Sequence, residues 1–463
     1  MSAAEQQSAA ERKLRDAGVG EAAVRSFVRH VERVRGGETG LLPESELEPV
    51  DALPDADALP EPSPERAAEV LDQAVVLKLN GGLGTSMGLS GPKALLEIRD
   101  GLTFLDVIAR QVLALRQATG ARLPLVLMDS FATRAPSLAR LDAYPELEQD
   151  VPRDFLQSKV PKLRADDLEP VSWPADPDLE WAPPGHGDLY PALVGSGMLE
   201  ALLDRGYRYA FVSNADNLGA VLDARLLSWF AAEELPFLME AADRTEADRK
   251  GGHLARRRGG GLVLRESAQT PEEDEDAFQD ITRHRFFNTN NLWIYLRALD
   301  RALRDAGGAL ELPLIVNRKT VDPKDPSSPA VVQLETAMGA AIDIWDGARA
   351  VRVPRTRLAP VKTTDDLLVV RSDAYRLTEA ARLELDPERG GRAPVVKLDP
   401  AHFKLLDDFE ARFPGGAPSL VACDRLQVDG DVVFGSGVVV RGRVTVAAGE
   451  GRLEVPDGSV LDG

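Results

Sequence analysis

The chain has 463 residues and one cysteine, Cys423. An intramolecular disulfide is therefore excluded, which suits a reducing compartment. Free cysteines are mostly buried as small hydrophobes, so Cys423 reads as a packing residue rather than a nucleophile. Histidine is also scarce, five in all, and none stands at a compact metal-ligand spacing with the cysteine. No apolar run approaches the roughly 20 residues of a membrane span. The polar N-terminus, MSAAEQQSAAERKLRDAG, reads as a helix and lacks the apolar core of a secretory leader. A membrane partner is not expected, and the expected compartment is the cytoplasm. Positive charge is short too: 55 Lys and Arg stand against 75 Asp and Glu, a net −20. Such a surface repels a nucleic-acid backbone and argues against that partner. It repels any phosphorylated ligand unless cations gather locally. Lysine is far rarer than arginine, so a lysine inside a glycine-rich motif carries extra weight.

What is present is 44% hydrophobic and 28% charged, a globular composition long enough for two or three domains. Residues 1–70 are expected to form a helical region and connector: Leu14, Val19, Val24, Phe27, Val28, Val31 and Val34 recur at three- and four-residue spacings, and 41–66 is rich in Pro, Glu and Asp. From Ala74 short apolar runs alternate with helical stretches. AVVLKLNGG, LPLVLMDS, YRYAFVSNAD, PFLMEAADR, FNTNNLWIYL and ALEL–PLIVN read as strands, and about Thr103 to Ala118 as a helix. That alternation predicts an α/β domain over 71–385 with a central mixed, mostly parallel, Rossmann-like sheet and helices on both faces. Over 386–463, Val432, Val438 and Val444 are six apart, as are Phe434, Val440 and Val446. This period predicts a short parallel β-helix, with paired hairpins as the alternative.

The strongest local signal is LNGGLGTSMGLSGPK, Leu79–Lys93. A strand ends in a loop whose glycines let the backbone approach an anion, and Lys93 adds a full charge at its far end. Gly82, Gly84 and Gly88 are one residue too long for the dinucleotide fingerprint. Pro92 splits Gly91 from Lys93 and Ala94 holds the hydroxyl position, so the ATPase phosphate loop does not match either.

The loop resembles the activation loop of sugar-nucleotide pyrophosphorylases, and in this spelling the UTP–glucose-1-phosphate uridylyltransferases of the eukaryotic type. Bacterial relatives have arginine at Ser86. FLQSKVPKL, PPGHGDLY, FVSNADNLGA, ADRKGGHL, FFNTNNLWI, QLETAMGAAI and VPRTRLAPVKTTDDLL resemble that family's further blocks, in its order. The resemblance implies a GT-A-like catalytic fold with a left-handed C-terminal β-helix. It implies Mg²⁺ as cofactor, UTP and glucose 1-phosphate as substrates, and in-line attack on the UTP α-phosphorus, with Lys93 and Lys362 as catalytic cations. Other sugar 1-phosphates (galactose or N-acetylglucosamine) and a silent UTP-binding homologue are the alternatives.

Residue by residue, the resemblance assigns the nucleotide to Leu79, Asn80, Gly81, Gly82, Gly84, Lys93, Gln157, Gly185, Asn214, Asp216 and Lys362. It assigns the sugar phosphate to Gly82, His186, Gly252, Asn290 and Lys362, and the metal to Asp216. The chemistry agrees. A carboxylate at the end of a parallel strand suits Mg²⁺, although a turn Asp is the commoner case. Gln157 and Asn290 carry both donors and acceptors. Asp188 could instead cap a helix, Lys250 could be a surface lysine, Asn288 and Asn291 read as loop supports, and Lys362 is expected to precede a strand. The chain stops soon after its last apparent coil, so a monomer or weak dimer is expected.

Overall fold

The apolar runs fold as one ten-stranded sheet in the computed structural model, which describes residues 8–463. Its strands are β1 (Leu47–Glu48), β2 (Ala74–Asn80), β3 (Leu125–Asp129), β4 (Asp154–Leu156), β5 (Tyr209–Asn214), β6 (Phe237–Asp243), β7 (His253–Arg257), β8 (Leu262–Arg265), β9 (Phe286–Tyr295) and β10 (Arg349–Arg352). Strand β2 lies between β5 and β3, parallel to both, and β4 continues the parallel set. On the other side β9 runs antiparallel to β5 and β6, and β10 is parallel to β6. The β7–β8 hairpin and β1 attach through the start of β9. The sheet is therefore mixed: parallel pairing runs through β5, β2, β3 and β4 and recurs between β6 and β10, with the antiparallel β9 between the two sets. The expectation of a mostly parallel sheet fails because β9 opposes both long neighbours and brings a hairpin with it.

Alternate residues of β2 serve opposite faces. Val76 packs with Phe211, Trp293 and the helix Phe104–Thr119, while Val75 and Leu77 pack with Ala210, Val212 and the helix Leu189–Gly195. Both faces are covered, so the strand reads as a continuous apolar run instead of alternating. The long helix is capped by a reciprocal Thr103–Asp106 pair and closed by Gly120 at φ +72°, the left-handed position glycine takes at helix ends. The ALEL–PLIVN segment does not continue the sheet. Leu314–Thr320 pairs antiparallel with Ala330–Thr336, and Leu163–Arg164 completes a separate three-stranded sheet.

The N-terminal helices, Ala9–Asp16 and Glu21–Arg35, bury Leu14, Val24, Phe27 and Val31 against Leu163, Val332 and Leu334 of that smaller sheet. Residues 1–7 of the expected helix lie outside the described residues. The segment read as a connector supplies β1 at the sheet edge, and Asp55 bridges to Arg352 in β10.

At the other end Val395–Leu398, Cys423–Asp429, Val439–Ala447 and Val460–Asp462 stack in parallel, and so do Val432–Phe434 and Leu453–Val455. The pairing is parallel, not hairpin, and both six-residue series are buried. Their interior joins the core on one face of the main sheet through Phe403, Phe409 and Phe413. Cys423 lies inside, and burial pushes its thiol up to about 11, as befits a packing residue. Among the described residues no helix is long and apolar enough to cross a membrane.

Phe27 is 2% exposed and fills the joint between the N-terminal helices and the smaller sheet. Replacing a buried phenylalanine with alanine leaves a cavity and costs about 3–5 kcal/mol. Phe27→Ala is expected to lower unfolding stability by that amount, read from urea denaturation.

Candidate active site

The carboxyl ends of β2, β3 and β5 open on one side of the sheet, where open α/β sheets bind ligands. The glycine loop leaves β2 there. Its backbone closes on itself where Lys93 N–H donates to the Gly82 carbonyl at 3.0 Å. Gly84 turns through φ +64°, and the Leu89 side chain fills the space a β-carbon would need. Gly81 packs against the Gln157 carboxamide so closely that a methyl there would collide with it. Gln157, assigned to the nucleotide, and the loop are thus in direct contact. Leu79 and Asn214 are register partners at the ends of β2 and β5. Asn80 is engaged within the protein: its amide donates to Asp129 at 2.6 Å and to Ser137 at 2.8 Å. Ser86 is exposed in the loop's short turn.

Lys93 Nζ meets Asp216 Oδ2 at 2.6 Å, with both side chains largely buried. The other Asp216 oxygen has no protein partner among the described residues. The Asp216 carbonyl accepts from Val361 N–H at 3.1 Å, which brings the Lys362 segment alongside. Lys362 precedes a helix, Thr364–Arg371, and not the strand expected from sequence, because Thr363 and Asp366 form a reciprocal cap. Asp366 is spent on that cap, so Lys362 makes no ion pair among the described residues. Its ammonium instead acts on Glu266, whose pKa burial raises and Lys362 lowers in part.

Glu266 stands 2.5 Å from where a Gly252 β-carbon would lie. Gly252, Glu266 and Lys362 therefore share one corner, while Lys250 is exposed on the turn before it. The fourth wall is a bulge in β9. Three residues, Thr289 to Asn291, oppose the single Glu240 of β6 between the Met239–Leu292 and Ala241–Asn288 pairs. Asn290 adopts φ +57° at this bulge and trades hydrogen bonds with Asn288, 2.9 Å from side chain to side chain and 3.0 Å from its own N–H. Its amide donors stay available, and bulges commonly re-aim a side chain in this way.

Opposite, the PPGHGD turn folds onto the smaller sheet. Gly185 has φ +79°, and Thr336 backbone atoms occupy the place of any β-carbon. His186 Nδ1 accepts from Met338 N–H at 2.9 Å, which leaves Nε2 to carry the proton as a donor. Burial holds its pKa down at about 4, so the ring is neutral. Asp188 does not cap the following helix. Its carboxylate accepts from Ser158 N–H at 2.5 Å, tying the His186 turn to the Gln157 segment.

Sequence reasoning missed the frame beneath these groups. Glu240 is fully buried and takes donors from Arg357 at 2.7 and 2.6 Å, Asn291 at 3.0 Å and Trp293 at 3.0 Å. Asn217 joins it, donating to Asn291 and the Arg357 carbonyl and accepting from Ala359 N–H. Lys78 lies below, 2% exposed. The available signal was an ionisable residue inside an apolar run: Lys78 in AVVLKLN and Glu240 in PFLMEAAD.

Among the described residues no three His, Cys, Asp or Glu side chains converge on a metal-sized space. Asp216 alone could not hold a dication. It fits Mg²⁺ all the same, because that ion takes one or two carboxylates and draws its remaining ligands from water and substrate phosphates.

A glycine loop, two lysines and one carboxylate at the strand ends of an α/β sheet form a site for a phosphorylated ligand. A profile of the family described as UTP--glucose-1-phosphate uridylyltransferase matches residues 25–441. The uridylyltransferase of that name from Solanum tuberosum is 44% identical over 401 residues, 86% of this chain and 82% of its own. That from Saccharomyces cerevisiae is 44% identical over 394, 85% and 77%. The UDP-glucose pyrophosphorylase of Leishmania major, solved in open and closed structures, superimposes with a TM-score of 0.93 at 49% identity, covering 100% of this chain and 98% of that one. A mutant of it in complex with UDP-glucose gives 0.92 at 49% identity, with the same coverage. The chain belongs to the UTP–glucose-1-phosphate uridylyltransferase family.

Burial raises the Asp188 pKa from 3.8 to about 6. A raised carboxyl pKa favours the folded state below the unfolded value, and that stability is lost as pH rises through the folded value. Asp188→Asn keeps an acceptor for Ser158 and has no charge to bury. The stability of the variant relative to the native chain is expected to rise between about pH 4 and pH 6 and to level off above, measured by denaturation across that range.

Proposed function

We propose that this chain transfers a uridylyl group from UTP to glucose 1-phosphate, yielding UDP-glucose and pyrophosphate. The observation that carries the reading is the Lys93–Asp216 pair beside the Lys362 segment, at the mouth of the glycine loop. Two polyanions must meet for this reaction, so the first requirement is charge. Lys362 lies where the sugar corner meets the nucleotide loop, positioned to neutralise the attacking phosphate and the α-phosphate together. That phosphate is already ionised and needs no general base. Lys93 and the N–H groups of residues 81–84 hold the pyrophosphate as the α-phosphorus bond to it breaks. Asp216 would hold Mg²⁺, which when bound withdraws charge from the phosphates. Gln157 and Gly185 frame the base. Neutral His186, Gly252, Asn290 and Glu266 offer donors and acceptors to sugar hydroxyls. Placement and electrostatics carry most of the rate in such transfers.

The protein is read as a cytoplasmic monomer or weak dimer. Its C-terminal parallel strands are read as coils of a left-handed β-helix, a reading their six-residue apolar series supports.

Pyrophosphate release with UTP and Mg²⁺ tests the reaction. Release is expected with glucose 1-phosphate, abolished by EDTA, and much slower with galactose 1-phosphate or N-acetylglucosamine 1-phosphate. No release from folded protein that binds UTP would overturn it. Lys362→Ala is expected to lower kcat by about 10²–10³, the scale of removing one preorganised charge-stabilising donor. Near-normal turnover would remove Lys362 from the chemistry.

A further inference from the structure

Lys78 has no place in the chemistry above, yet it is a lysine in the middle of a strand buried on both faces. Its Nζ donates to Ser213 Oγ at 2.7 Å and to the Ala220 carbonyl at 2.8 Å. No carboxylate lies within ion-pair distance of it among the described residues. Burial, and then the Arg357 guanidinium, lower its pKa to about 7, so the environment opposes the charge. Burying an ammonium costs several kcal/mol unless its donors are well placed. An apolar side chain would fill this space among Val76 and Phe211 without that cost.

The two acceptors explain the arrangement. Ser213 is the next-to-last residue of β5, and Ala220 ends the turn that follows it. Between them lie Asn214 to Gly219, the segment that carries Asp216. One ammonium therefore grips both ends of that segment from below. We infer that Lys78 is a positioning residue: it clamps residues 213–220 so that the Asp216 carboxylate is preset toward Lys93 and the cation. This rests on the reading of Asp216 as the residue that holds Mg²⁺.

Lys78→Met keeps the side-chain length and removes the donors. Three quantities are measured on the full chain: Mn²⁺ affinity in the presence of UTP by electron paramagnetic resonance, amide hydrogen exchange without metal or nucleotide, and steady-state kinetics. Losing an outer-shell partner typically weakens metal binding about 10–100-fold, and a fall in Mn²⁺ affinity of at least about tenfold is expected. The Mg²⁺ concentration for half-maximal rate is expected to rise by a similar factor. The KM for glucose 1-phosphate is expected to stay within about twofold, since Lys78 touches nothing in the sugar corner. Amides of 214–219 are expected to exchange about tenfold faster while those of β3 keep their rates. Unchanged Mn²⁺ affinity and exchange in folded Lys78→Met overturn the clamp. Should that variant fail to fold, Ser213→Ala removes one anchor and is expected to shift the same quantities by about threefold, the worth of a single modest hydrogen bond; no shift overturns the clamp equally. The native chain is assayed in parallel. Its failure to release pyrophosphate would sink the proposed reaction, whereas the exchange rates judge the clamp alone.

Discussion

A carboxylate cannot sit bare inside a sheet, and Glu240 is sealed within this one. Arg357, Asn291 and Trp293 saturate its oxygens, and that requirement organises everything above it. Arg357 is drawn down from the segment that continues to Lys362. Asn291 can reach only because β9 bulges, and the bulge presents Asn290. Asn217, bonded to both Asn291 and the Arg357 carbonyl, locks the Asp216 turn to the same frame. Removing one partner of a buried pair leaves an uncompensated charge and costs about 3–5 kcal/mol. Three separate stretches of chain are thus held in register by one buried anion.

The same economy governs charge across the molecule. A chain with a net −20 has to admit polyanions, and it does so by placing few cations where carboxylates are occupied elsewhere. Asp366 is turned into a helix cap, Glu240 is matched by Arg357, and Asp188 is spent on Ser158. What faces the opening then includes Lys93, Lys362, backbone N–H groups, the free oxygen of Asp216 and, beside Lys362 at Gly252, the Glu266 carboxylate. The glycine loop contributes donors that carry no entropy cost of side-chain ordering.

Much of this was legible in the sequence, for definite reasons. β2, β3 and β5 are covered on both faces, so their apolar runs stand out, and turn residues mark where they end. The glycine loop stands out by composition and Asp216 by its place at the end of an apolar strand, whereas Gln157 and Gly252 are assigned through the family resemblance of their blocks. Strand direction was not legible. Nothing in FNTNNLWIYL states that β9 opposes its neighbours, since direction is set by long-range pairing. The helix after Lys362 was missed although Thr363 and Asp366 stand at capping-box spacing before the apolar run LLVV, a readable start signal. Asn80 was assigned to the nucleotide through the resemblance, and the sequence did not show that its side chain bonds Asp129 and Ser137. Glu240 and Lys78 carried a usable signal that was passed over: charges amid apolar residues demand partners.

The N-terminal segment shows how far the chain must reach to close. Arg29 and Arg33 bond carbonyls at Ala306, Ala309 and Leu312, Lys13 pairs with Glu180, β1 pairs with β7, and Asp55 binds Arg352 at 2.7 Å. During synthesis the helices over 9–35 therefore find part of their docking surface once Glu180 has emerged, and the rest only after Leu312 and Leu334 have followed. The amphipathic helices must wait with their apolar faces uncovered. The last fold event for this region is set by the translation of distant segments, and loop-closure entropy makes such long-range docking slow. A segment that looks like a detachable appendage is held by contacts with residues 158, 277 and 297 positions further along the chain.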